Sequence, residues 1–170
     1  DGNVISSAWT SVIGGGYNNV IELASDRYID NAVIGGGRGN LIEDSYGSTI
    51  GGGIFNSIED ATGGDDMALQ ATISGGNTNT IVGGNSVTIA GGTFNTIEND
   101  IVGGWGHFIG GGDDNRIIEI LEPSVVVGGS VNRMFAGRSF VGGGVSNRVT
   151  DNYGIVIGGQ NSRAGDNAGT

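Results

Sequence analysis

Apolar positions recur along the chain in a fixed phrase of nine residues: an aliphatic residue, a small one, Gly-Gly, two variable positions, Asn, one variable position and a second aliphatic. The phrase runs from Ile13 to Ile21, Ile34 to Ile42, Ile50 to Ile58, Ile73 to Ile81, Ile89 to Ile97 and Ile109 to Ile117, with weaker copies starting at Val126, Val141 and Val156. Its starts lie 21, 16, 23, 16, 20, 17, 15 and 15 residues apart, so the unit is 15–16 residues long and carries three insertions. One such unit cannot bury its own apolar residues, and stacking copies on one another is how it acquires a core. Ile and Val beside Thr favour strands, whereas Gly-Gly and Asn supply the positive φ of tight turns. The pattern therefore predicts an all-β chain, a short-coil parallel β-solenoid over residues 1–170 as a single domain. At about 4.8 Å per rung, nine or ten rungs make a rod roughly 45 Å long.

A finer period suggests the cross-section. Ile73, Ile81, Ile89 and Ile97 are each eight residues apart, with Gly-Gly between them. Each coil is thus expected to be two similar half-turns, giving a flattened roll with two parallel sheets and every repeat start from Ile13 to Val156 buried. The Asn of the phrase falls at one place in eight copies: Asn19, Asn40, Asn56, Asn79, Asn95, Asn115, Asn132 and Asn147. Stacked amides can bond to the rung above and below, so turn geometry and a structural ladder outweigh ligand binding for these residues.

Neighbouring residues of a strand face opposite ways, which assigns outward columns. Before each repeat start stand Val12, Val33, Thr49, Thr72, Thr88, Phe108, Val125, Phe140 and Ile155, an uncharged and mostly apolar stripe. Such a stripe marks a protein interface unless an insertion folds over it. The outward column of the second strand is Val20, Leu41, Ser57, Thr80 and Thr96, followed by Arg116, Arg133, Arg148 and Arg163. Four Arg on consecutive rungs would form either a strip for sulfated or acidic glycans or a set of salt bridges with Asp113, Asp114, Glu119, Glu122 or Asp151.

Composition sharpens this picture. Gly makes up 37 of 170 residues with one Pro, yet no Gly-X-Y triplet recurs, which excludes collagen. Net charge is −11, with no Lys, and residues 1–100 carry −10 of it. That balance argues against nucleic acid and against an anionic bilayer. There is no Cys, and no run of apolar residues is long enough to span a membrane. The opening at Asp1 reads as a mature product or as a fragment of a longer chain. Acids also fall in phase after the second aliphatic, at Glu22, Glu43-Asp44, Glu59-Asp60 and Glu98, and Asp65-Asp66 and Asp113-Asp114 follow Gly runs. Calcium would suit such oxygen clusters, but the Gly-Gly-x-Gly-x-Asp spacing of calcium β-rolls is missing, and solvated carboxylates are the default.

The segments "SVIGGGYNNVIE", "STIGGGIFNSIED" and "ATISGGNTNTIVGG" resemble the head-domain repeats of trimeric autotransporter adhesins and of related phage tail-fibre and spike proteins. The closing stretch from Val156 to Ala168 is similar to that family's Asn-Ser-x-Ala-x-Gly-Asp-x-Ala linker. The resemblance implies a left-handed parallel β-roll that trimerises and binds host surfaces. The chain departs from the family in its irregular insertions and in Gly-Gly-Gly where many members carry Gly-x-x.

Catalysis has little footing. The single His, His107, stands in an insertion beside Trp105, and neither a nucleophile–base order nor a phosphate loop occurs. The expectation is a non-enzymatic, extracellular receptor-binding head at a cell surface or on a virion, associating with itself as a homotrimer and binding surface glycans or a host receptor. A structural subunit of a filament or sheath is the alternative, followed by a calcium-binding β-roll. Ice binding is a further alternative, weakened because Thr49, Thr72 and Thr88 stand in one column and Thr80 and Thr96 in another. The insertions, about 23–30, 61–70 and 99–107, should protrude from one side, with Tyr28, Met67 and Trp105 as their bulky residues and Trp105 and Tyr28 as candidate contacts.

Overall fold

The computed structural model describes residues 2–23, 29–60, 68–99, 104–118 and 120–165, and these contain 23 short strands and no helix. The strands form a ten-stranded and a nine-stranded parallel sheet, with two further two-stranded pairs. Each coil gives one strand to each large sheet. Thr72–Ile73 enters the nine-stranded sheet and Thr80–Val82 the ten-stranded one. Register is kept from coil to coil: Ile73 pairs with Ile50 below and Ile89 above, and Ile81 with Ile58 and Ile97. The chain is a β-solenoid whose strand register continues from coil to coil on either side of the insertions.

The core is thin and aliphatic. Ile34, Ile50, Ile73, Ile89, Ile109, Val126 and Val141 from one sheet are fully buried, and so are Ile21, Ile42, Ile58, Ile81, Ile97, Met134 and Val149 from the other. Burial of each such side chain stabilises the rod by about 1.5–3 kcal/mol. Ile13 departs from the expected burial and is only partly covered, because its strand is the edge of the nine-stranded sheet and has a neighbour on one side only.

The Gly-Gly-x-x-Asn turn shows why its residues recur. Gly76 and Gly92 have φ of +100° and +89°, and a Cβ on either would collide with the carbonyl oxygen of the equivalent glycine in the next coil. Only glycine meets both demands. The expectation that the Asn itself supplies positive φ is corrected: that conformation belongs to the residue before it. Asn18, Phe55, Thr78, Phe94, Asp114, Val131, Ser146 and Asn161 all have φ between 50° and 59°. The left-handed residue turns the chain and leaves its own side chain at the rim, so that the following Asn can point inward.

Inward is where the amide finds its partners. Asn95 Nδ2 donates to Asn79 Oδ1 at 3.2 Å, to Gly91 O at 2.9 Å and to Gly112 O at 3.0 Å. The backbone N–H of Asn95 also donates to Asn79 Oδ1, at 3.1 Å, and Asn95 Oδ1 accepts from both nitrogens of Asn115. All eight Asn are fully buried. The file extends past them: Asn3 Oδ1 accepts from Asn19 N–H at 2.9 Å, and Ser162 N–H donates to Asn147 Oδ1 at 2.8 Å.

All three insertions fall at the same phase of the coil, between a strand of the ten-stranded sheet and the next strand of the nine-stranded sheet. On the first four coils this stretch holds a third strand, a departure from the expected two-faced coil. Ala8–Trp9 pairs with Ile29–Asp30, and Ser45–Tyr46 pairs with Ala68–Leu69. Gly47 N–H donates to Asp30 O at 2.9 Å and ties the two pairs together. The next coil closes tightly instead, with Val87 buried at its corner.

Candidate functional site

Repetition turns single residues into lengthwise files, so the candidate sites are faces of the rod. On the nine-stranded sheet Val12, Val33, Thr49, Thr72, Thr88, Phe108, Val125, Phe140 and Ile155 occupy consecutive rungs. A second outward file follows the core residues: Gly14, Gly35, Gly51, Ser74, Ala90, Gly110, Val127, Gly142 and Ile157. Neither file holds an ionisable side chain. Val12 is 53% exposed, Ile155 67% and Ile157 83%. The Phe108 and Phe140 rings lie close over Gly110 and Gly142, where a Cβ would stand 3.2 Å from a ring carbon. The result is a lengthwise face without charge that turns apolar toward its C-terminal half.

The ten-stranded sheet carries the charge. Glu22 and Glu43 are direct neighbours, and Glu59 follows on the next rung. Burial, and then the fields of Glu59, Asp44 and Glu22, push the Glu43 carboxyl above its ordinary pKa. The Ser57 hydroxyl donates to Glu59. Among the described residues no three acidic or histidine groups converge to hold a metal ion. Of the calcium candidates, Asp65 and Asp66 lie outside the described residues, Asp113 is exposed in its turn, and Asp114 is engaged by an arginine.

Arg116, Arg133, Arg148 and Arg163 do stand on four consecutive rungs. Their surroundings divide them. Arg116 lies 3.9 Å from Glu98, a loose and exposed pair. Arg133 is held firmly: Nη2 donates to Asp114 Oδ2 at 2.6 Å, and Nη1 donates to the Asp114 carbonyl. Arg148 lies over the Phe135 ring, 4.7 Å from its centroid. Neither Arg148 nor Arg163 has a carboxylate partner among the described residues. Glu122 pairs at 2.8 Å with Arg138, outside the file. Phase in the sequence finds the column, but not the Arg138 pair or the Phe135 stack, which depend on coil-to-coil offsets.

Between this file and the left-handed turn residues runs a trough. One part, about 630 Å³, lies between Phe94 and Arg116 with Thr78, Thr80, Thr96 and Asp114 around it. Another, about 310 Å³, is lined by Val131, Ser146 and Asn161 on the turn side and Arg133, Arg148 and Arg163 on the sheet side.

At the variable edge Tyr28 lies outside the described residues. Trp105 is exposed and bridges Asn85 of the coil before. His107 is buried in the corner position that Val87 fills one coil earlier. Its Nε2 is 2.9 Å from Ile120 O, which makes Nε2 the protonated nitrogen of a neutral ring. Burial lowers its pKa below the ordinary 6.5, partly offset by that hydrogen bond. The unfolded chain therefore binds the proton more readily, so the stability that His107 contributes is complete above about pH 6.5 and is lost as pH falls toward its folded pKa. In thermal melts from pH 7.5 to 5.5, His107→Val is expected to flatten the decline seen in the wild type. Parallel curves would show that His107 does not set it.

No family model matches the chain, and neither does any curated protein or solved structure.

Proposed function

We propose that the chain is a non-enzymatic, extracellular receptor-binding head of the kind carried by surface adhesins and phage tail fibres, working as an assembly of its own copies. One observation carries this reading: the whole outward face of the nine-stranded sheet, two files on nine rungs, is free of ionisable groups in a chain of net charge −11. Copies with that charge repel, and an uncharged face with Phe108, Val125, Phe140 and Ile155 along it is where they meet at least cost. The regular stack, interrupted by insertions at one phase of the coil, supplies the usual arrangement for recognition, loops carried on a scaffold.

The test is the mass in solution. The wild type is expected to run as a discrete multiple of 17.1 kDa, and the double variant Phe108→Glu, Phe140→Glu as a folded single chain. Light scattering behind size exclusion, with circular dichroism on the same samples, reads both. A wild type that stays a single chain at every concentration overturns the assembly. Rods that lengthen with concentration favour the filament subunit over the discrete head.

A further inference from the structure

We propose that Arg148 and Arg163, facing Ser146 and Asn161 across their groove, form a site for the sulfate or carboxylate groups of an acidic glycan lying along the rod. The site rests on the receptor-binding reading and names its ligand. Four observations converge on it. First, the structure separates the arginine file into two that are engaged by Glu98 and Asp114 and two that have no carboxylate partner among the described residues. Second, Arg148 and Arg163 are direct rung neighbours, about 4.8 Å apart along the stack. Two arginines on adjacent rungs repel unless an anion lies between them, so the pair is better satisfied with a ligand than without.

Third, the Arg148 guanidinium lies over the Phe135 ring, which restrains it, and among the described residues its N–H groups make no hydrogen bond, so they can serve bidentate capture of an oxyanion. Fourth, the groove of about 310 Å³ has small polar side chains on its other wall, Ser146 and Asn161, able to meet sugar hydroxyls. Arg133 closes the inner end while bound to Asp114.

Local charge selects the ligand. Residues 126–165 hold four Arg and one Asp, +3, so the remainder of the chain carries −14. A long polyphosphate crossing onto the rest of the rod would be repelled, whereas a short acidic oligosaccharide confined to the last coils would not. The stack offers one cation per rung, which fits a linear chain with anionic groups at regular spacing.

The test uses the whole chain and two probes: a heparin-derived sulfated oligosaccharide and an oligogalacturonate. Calorimetric titration at about 0.05 M salt is expected to show weak binding of at least one, declining steeply as salt rises past ~0.15 M. Arg148→Gln with Arg163→Gln is expected to lower affinity at least about tenfold, while Arg116→Gln changes it less than about twofold. Binding of the oligogalacturonate shows that carboxylates suffice, whereas binding of the heparin fragment alone, which carries both groups, assigns the site to sulfate. Phe135→Leu, which removes the stack and keeps an apolar residue, should weaken binding without lowering the melting temperature. Failure of both probes to bind, wild-type affinity in the double Gln variant, or equally tight binding of a single-stranded oligonucleotide overturns the site. Assembly mass measured on the same samples keeps the two readings apart: lost glycan binding with intact assembly removes only the site.

Discussion

Ile89→Asp is expected to unfold the rod around its coil, at a cost above about 5 kcal/mol. Ile89 is fully buried, and its strand pairs with Thr72–Ile73 below and Phe108–Ile109 above. Loss of the aliphatic side chain alone costs roughly 2–5 kcal/mol, and a carboxylate without partner adds its desolvation. In a stacked array each coil is stabilised mainly by its neighbours, so damage at one rung spreads to both sides. Far-ultraviolet circular dichroism and limited proteolysis should show loss of strand signal and cleavage near residue 89. An Ile89→Asp protein that melts with the wild type would mean that this position is not core.

The second large effect belongs to the ladder. Asn95→Ala is expected to cost on the order of 3 kcal/mol, because it removes the amide donations to Asn79, Gly91 and Gly112 and leaves the backbone N–H of Asn115 without its acceptor in a buried site, the Asn115 amide keeping Gly111 O and Gly129 O. Asn95→Asp should be worse, since it adds a charge and takes away the donors to Gly91 and Gly112. Asn77→Ala is the control: two positions before a ladder residue, it is exposed and should shift stability by less than about 0.5 kcal/mol. Urea melts of the three variants decide the matter, and equal effects at positions 77 and 95 would remove the ladder as a source of stability.

The stack was legible in the sequence because register in a solenoid is set by recurrence. Ile at fixed phase gave the core, and Asn at fixed phase gave the column that became the ladder. Other features were not legible, each for a physical reason. Ser45–Tyr46 has no strand pattern of its own, and it pairs because the next coil lays Ala68–Leu69 alongside it. Phe55, Phe94 and Val131 are poor residues for a left-handed conformation, yet they hold it because the following Asn must reach inward. Of the surfaces, the arginine column followed from phase alone. The different surroundings of its members did not, since Arg133 meets Asp114 from one coil earlier and Arg148 rests on Phe135. The last rungs of the ladder were missed because Asn3 stands outside any complete phrase and Ser162 replaces Asn with a hydroxyl.

Hydroxyl-radical footprinting across a concentration series tests most directly whether copies meet on the uncharged face. Four phenylalanines serve as internal reporters. Phe108 and Phe140 lie on that face, 36% and 37% exposed, whereas Phe55 and Phe94 stand at the turns of the other edge, 52% and 53% exposed. As the protein is concentrated, labelling of Phe108 and Phe140 should fall together while Phe55 and Phe94 stay as reactive as in dilute solution. If all four keep their labelling at every concentration, or if Phe55 and Phe94 are the ones protected, the nine-stranded face is not where copies of this chain meet.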